Sequence, residues 1–106
     1  MFLERVAALK REEIRKRNID FIREGPVVAI VLEGPHAIEI VRKIIGHTEP
    51  RQAIPGTIRG DFISIESYAV SDAEGRAARN LVHASDSAEN ANREVDLWFK
   101  KNEIME

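Results

Sequence analysis

The chain contains no cysteine among its 106 residues. That excludes a disulfide framework, a thiol nucleophile and a Cys-based zinc site. Long hydrophobic runs are also missing. The longest, Val27 to Leu32, covers six residues, far short of the roughly 20 that span a bilayer. Neither sign of charge dominates, with 16 Lys+Arg against 18 Asp+Glu and a net charge of -2. No global basic field draws the chain to nucleic acid or to an anionic membrane. Several catalytic signatures are absent as well. The stretch from Gly56 to Gly60 runs into Asp61 rather than Gly-Lys-Ser/Thr, so there is no Walker loop. There is no Gly-x-Ser-x-Gly elbow. His36, His47 and His83 include no pair at the helical spacing of a zinc site. The opening Met1-Phe2-Leu3-Glu4-Arg5 lacks the shape of a signal peptide, and the expected compartment is the cytoplasm.

What is present suits one domain. Hydrophobic residues make up 43%, and a chain of this length buries roughly 65% of its unfolded surface. Residues 2–22 read as a helix, with Phe2, Leu3, Val6 and Leu9 at helical spacing and a charged face from Lys10 to Arg17. Gly25-Pro26 ends it. Val27 to Leu32 is β-branched and unalternated, the pattern of a strand covered on both faces. Pro35 suits a helix start. Ala37, Ile38, Val41, Ile44 and Ile45 form one apolar stripe, and Gly46 is a natural stop. Residues 47–61 follow neither period and read as a functional loop. Residues 66–79 are polar and carry no clear pattern. Asn80-Leu81-Val82 reads as a short strand, Ser85-Asp86-Ser87 as N-cap candidates, and Ala88, Ala91, Val95, Trp98 and Phe99 as the buried stripe of a last helix.

His83 has the most informative surroundings. It sits between a strand end and a capped helix start, a place where free backbone N–H groups favour phosphate. If the long loop folds over it, Arg42, Thr48 and Arg59 join it. Two guanidiniums, a hydroxyl and an imidazole suit phosphoryl transfer, where positioning and charge stabilisation dominate. The plainer alternative leaves both arginines solvated and gives His83 to the helix cap.

The segment Asn80-Leu81-Val82-His83-Ala84-Ser85-Asp86-Ser87 resembles the active-site signature of nucleoside diphosphate kinases. Pro55-Gly56-Thr57-Ile58-Arg59-Gly60-Asp61-Phe62 is similar to a second signature of that family. Gly25-Pro26-Val27-Val28-Ala29, Glu33-Gly34, Val41 to Thr48 and Arg93 to Phe99 fit in the same order. The resemblance covers about residues 19–103. It implies an α+β fold, a truncated ferredoxin-like α/β sandwich. The domain reading is a single partial domain over 1–106, with a leading helical segment at 1–24 and the family region at 25–103. The implied activity moves the γ-phosphate of a nucleoside triphosphate to a nucleoside diphosphate, in ping-pong fashion, through a phosphohistidine. His83 matches the phosphorylated residue. Arg42, Thr48 and Arg59 match residues that hold phosphates, Asn80 one that contacts the sugar, and Ser85 and Glu94 residues that support the histidine. Magnesium is implied as a companion of ATP and the other nucleotides, with no protein metal ligands. The family forms homo-oligomers, usually hexamers or tetramers.

The departures are equally specific. The family opens with a Lys-Pro-Asp-Gly strand, a helix and a second strand, none of which occurs in these 106 residues. A strand central to the family's sheet is therefore expected to be missing, together with a lysine that touches the transferred phosphate. Ala84 stands where a glycine is common, and Ile14 and Asn18 stand near the usual aromatic lid. The competing expectation is a non-catalytic nucleotide-binding or assembly module that kept the fold and lost activity with its N-terminal part. A nucleic-acid role for the Lys10–Arg17 face is a third, minor reading.

Overall fold

A computed structural model describes residues 11–104. Its elements run in order as helix α1 (Arg11–Ile22), helix α2 (Ala37–Ile45), a 3-10 turn at Pro50–Gln52, and helices α3 (Ile58–Phe62), α4 (Tyr68–Ala73) and α5 (Ala88–Trp98). A last 3-10 turn follows at Lys101–Glu103. The helical reading of 2–22 is met from Arg11 onward; its first turns lie outside the described residues. Helix α2 begins two residues after Pro35 and ends, as its sequence predicts, at Gly46, which takes φ 94°. A side chain there would press on the Thr57 hydroxyl, 2.6 Å from an added Cβ. Ser87 caps α5, its hydroxyl accepting the Asn90 N–H at 3.1 Å.

The expected strands do not form among the described residues. Residues 26–33 run non-helical, and none of their backbone groups joins a described hydrogen bond. Val28 is 88% exposed and Ile30 71%, and Val27, Val31 and Leu32 are exposed too. The expectation of a strand covered on both faces is therefore corrected. A strand needs a neighbour to pair its N–H and C=O groups, and Asn80–Val82 does not supply one. The same absence leaves both helical apolar stripes largely uncovered, and it corrects the buried stripe expected of the last helix. Of the α2 stripe only Ile45 is fully buried, and Ile44 is exposed. The α5 stripe contains no buried residue, and Trp98 is half-exposed.

Instead, the best-held part of the molecule is a polar module over residues 45–82. Its described apolar core is small: Ile45, Ala53 and Ala77. Around it Glu49, Thr57, Arg59, Glu66, Ser67 and Ser71 are buried. Buried charges and hydroxyls are tolerated only when hydrogen-bonded, and each here has partners. The sequence Pro55 to Phe62 shows how. Thr57 caps α3, accepting the Gly60 N–H at 3.0 Å and donating to the Ile54 carbonyl at 2.7 Å. Asp61 accepts the Gly56 N–H at 2.8 Å. Gly60 lies so close to the Ile54 carbonyl that an added Cβ would stand 2.1 Å from its oxygen. This short closed loop turns Arg59 inward. Residues 66–79, patternless as sequence, supply α4, capped by Ser67 through the Val70 N–H at 3.1 Å. Helix α1 is tied to it by Arg17 and Asp72 at 3.1 Å.

Candidate active site

Arg59 is 5% exposed, and its guanidinium organises the site. Nε donates to Asn80 Oδ1 at 2.8 Å. Nη1 donates to the Gly46 and His47 carbonyls, both at 3.2 Å, and Nη2 to the Val82 carbonyl at 2.9 Å. One side chain thus binds the turn that carries Thr48 to the segment that carries Asn80 and His83. A guanidinium has five N–H donors, so this pattern leaves one, on Nη2, directed elsewhere. Burial lowers the Arg59 pKa, and the nearby Arg42 charge lowers it further. Two cations are therefore held close together, a field suited to an anion.

Arg42 comes from the last turn of α2 and donates from Nη1 to the Ala84 carbonyl at 3.2 Å. Arg59 and Arg42 thus grip the carbonyls on either side of His83. The His83 ring itself projects outward, its side chain 78% exposed. Its Nε2 lies 2.6 Å from Glu94 Oε1, and Ser85 Oγ donates to Glu94 Oε2 at 2.5 Å. Glu94 stands on α5, two helical turns beyond the Ser87 cap. The Ser85 hydroxyl and then the His83 ring hold the Glu94 carboxyl below the usual carboxylate range. An ionised Glu94 can only accept a hydrogen bond, so Nε2 carries the ring proton and the lone pair of Nδ1 is left free to attack an electrophile.

The structure brings together His83, Glu94 and Ser85 as one hydrogen-bonded set, and Arg59, Asn80 and Arg42 as a second set joined to it through the backbone. Thr48 is exposed, on the turn that Arg59 binds, and its side chain makes no hydrogen bond among the described residues. An open hollow of about 1,110 Å³ is walled in part by Arg42, Lys43, His47, Gln52, Thr57 and Asp86. His83 and Asn80 lie outside that wall, so Arg42 is the link between hollow and imidazole. Among the described residues no cluster of three or more His, Asp or Glu side chains could hold a metal ion. None of the described helices is long and apolar enough to cross a membrane. Sequence reasoning missed Glu66 and Glu49, the two buried carboxylates behind the site. Their sequence signal was faint, because the Glu66 carboxylate finds its partners 10 and 13 residues on, and Glu49 reaches Tyr68, 19 residues on, besides its neighbours Arg51 and Gln52.

Two solved structures share this geometry of chain path. An NDP kinase from Pyrobaculum aerophilum superposes with a TM-score of 0.86 at 47% identity, covering 90% of this chain and 52% of that one. A nucleoside-diphosphate kinase from Borrelia burgdorferi, described as a transition state mimic with bound vanadate and ADP, gives 0.85 at 46%, covering 92% and 57%. The chain path is accordingly that of the ferredoxin-like α+β class over the part that this chain spans, with residues 26–33 and 80–82 left unpaired as strands. A curated nucleoside diphosphate kinase of P. aerophilum is 48% identical over 93 residues, which is 88% of this chain and 50% of the relative. The sequence profile described as "Nucleoside diphosphate kinase" matches residues 6–104. The chain belongs to the nucleoside diphosphate kinase family. It spans about half the length of the curated relatives it matches.

Proposed function

We propose that this chain carries the phosphohistidine half of a nucleoside diphosphate kinase, acting as a phosphotransferase. The observation that supports this most is the Glu94 carboxylate set on His83 Nε2 at 2.6 Å, beside two arginines that bracket the same residue. In the first half-reaction His83 Nδ1 attacks the γ-phosphorus of a nucleoside triphosphate. The N–P bond forms, the bond from phosphorus to the β-γ bridging oxygen breaks, and the nucleoside diphosphate leaves. In the second half-reaction a terminal oxygen of another nucleoside diphosphate attacks the same phosphorus and frees the imidazole. Glu94 keeps Nε2 protonated throughout, and Ser85 keeps Glu94 in place. No base is required, because neutral imidazole already presents a lone pair.

Arg42 and Arg59 offset the negative charge that builds on the transferring group. Arg59 does so through its field and its remaining Nη2 donor. Thr48 and Asn80 take the phosphates and the sugar. Magnesium would enter with the nucleotide substrate and would offset charge on its phosphates, with no protein ligands needed. The domain reading, a single partial domain with its family region at 25–103, goes with this proposal. So do homo-oligomerisation, which the family resemblance implies, and a cytoplasmic location, which suits nucleotide substrates. One observation favours a second reading, an assembly module without activity: the exposed apolar segment Val27–Leu32, an edge that pairs readily with other chains.

The test is incubation with γ-labelled ATP and magnesium, then denaturation in alkali. The proposal expects an acid-labile, alkali-stable label on the wild-type chain and none on His83→Ala. Absence of label on wild type, or equal label on the variant, rejects it and leaves the assembly reading.

A further inference from the structure

We propose that Glu66 is a positioning residue for the nucleotide site, its carboxylate setting Asn80 against Arg59. The proposal rests on the kinase reading for its functional consequence, and on geometry alone for its structural part. Glu66 is 5% exposed and stands at the start of the segment that sequence left without a role. Its carbonyl accepts the Arg51 N–H at 2.9 Å, from the loop side. Its carboxylate forms a two-pronged pair with Arg76, Nη1 to Oε2 at 2.7 Å and Nη2 to Oε1 at 3.2 Å. Oε2 also accepts the Arg79 backbone N–H at 2.6 Å.

That last bond is the informative one. The residue after Arg79 is Asn80, whose Oδ1 receives Arg59 Nε. Glu66 therefore pins the backbone one residue before the side chain that orients Arg59. Arg76 reinforces the pin, its Nη1 donating to the Ala77 carbonyl at 3.0 Å and its backbone N–H to the Ser71 carbonyl at 3.0 Å. A merely space-filling loop needs no buried carboxylate, since an unpaired one is costly and a paired one is no more stable than an apolar substitute. What a two-pronged ion pair adds is a fixed geometry. A glutamine at 66 keeps the shape but turns one oxygen into an NH2 donor. In either orientation that donor faces N–H groups of Arg76 or Arg79, and the pin loosens.

The experiment uses the full chain and its Glu66→Gln variant, with helix content checked by circular dichroism. Two quantities are read: solvent exchange of the Arg59 Nε–H by NMR, and the ATP concentration that half-saturates His83 labelling. In E66Q both rise about tenfold, the size of one lost charge-assisted hydrogen bond, while labelling at saturating ATP changes less than about threefold. A role confined to stability would lower the folded fraction and leave both quantities unchanged in the folded molecules. Unchanged Arg59 exchange and unchanged half-saturation overturn the proposal. Should E66Q not fold, Arg76→Lys, which keeps the charge and loses one prong, is read the same way. A rise of about threefold in both supports the proposal and no rise overturns it. If wild type takes no label while Arg59 exchange still rises in E66Q, the kinase reading fails and the positioning of Asn80 stands. If wild type takes label and E66Q matches it in both readouts, the positioning claim fails and the kinase reading stands.

Discussion

His83 and Glu94 are eleven residues apart in sequence and 2.6 Å apart in space, joined through the imidazole Nε2 and a carboxylate oxygen. The bond decides which ring nitrogen keeps its lone pair, and so, in the proposed reaction, where a phosphoryl group would attach. The Ser85 hydroxyl is the largest cause of the depressed Glu94 pKa. Ser85→Ala should therefore raise the Glu94 titration midpoint toward the ordinary carboxylate range. It should also slow His83 labelling by about two- to tenfold, the effect of one lost positioning hydrogen bond. Carboxyl carbon NMR titration and rapid-quench labelling measure the two. An unmoved midpoint would show that Ser85 does not hold Glu94 in solution.

Glu49 and Glu66 predict the acid limit of stability. Burial pushes both carboxyls up, but their hydrogen bonds outweigh it. Gln52, the Tyr68 N–H and Arg51 hold Glu49 below the usual range, and Arg76 and the Arg79 N–H do the same for Glu66. A depressed folded pKa contributes stability above the unfolded value of about 4.3 and loses it as pH falls through the folded value. Urea unfolding should show a steady loss of stability from about pH 5 downward. Glu49→Gln should flatten that slope, being weaker at pH 7 and closest to wild type in acid. A parallel slope in the variant would remove Glu49 from the account.

Gly60 is placed by contact rather than by backbone conformation. An added Cβ would stand 2.1 Å from the Ile54 carbonyl oxygen, so Gly60→Ala must displace backbone. The expected cost is about 1–3 kcal/mol, read as a fall in the urea midpoint. Labelling of His83 should weaken with it, because α3 carries Arg59. Wild-type stability in G60A would mean that the turn at 54–60 is looser in solution.

The exposed segment at 27–32 predicts self-association. Val28 and Ile30 lie two residues apart and are 88% and 71% exposed. Light scattering should find the wild-type chain associating as concentration rises, and Val28→Lys with Ile30→Lys should shift it toward monomer. Neither residue touches His83 or its partners, so labelling per folded chain should stay the same. A monomeric wild-type chain would take the support from both the homo-oligomer and the assembly reading.

Helix ends were legible from local chemistry. Gly46 stops α2 because its positive φ suits glycine, and Ser87 starts α5 because its hydroxyl reaches the Asn90 N–H. The family and its candidate residues were legible too, since each motif is a short ordered string. The error lay in reading burial from apolar pattern. Val27–Leu32 and the α5 stripe are apolar enough for a core, but burial needs a second surface, and no periodicity reveals whether one is there.

By itself the sequence determined the kind of chemistry available: one imidazole, two arginines and a carboxylate in recognisable strings, with no thiol and no metal cluster spacing. Tertiary structure alone decided how they are used. It set Arg59 to bind three backbone carbonyls and Asn80, and it gave Glu66 charge of the residue before Asn80. The physical reason is range. Caps and turns are settled among neighbours within four residues, whereas the pairing of buried charges depends on which distant segments the chain brings together.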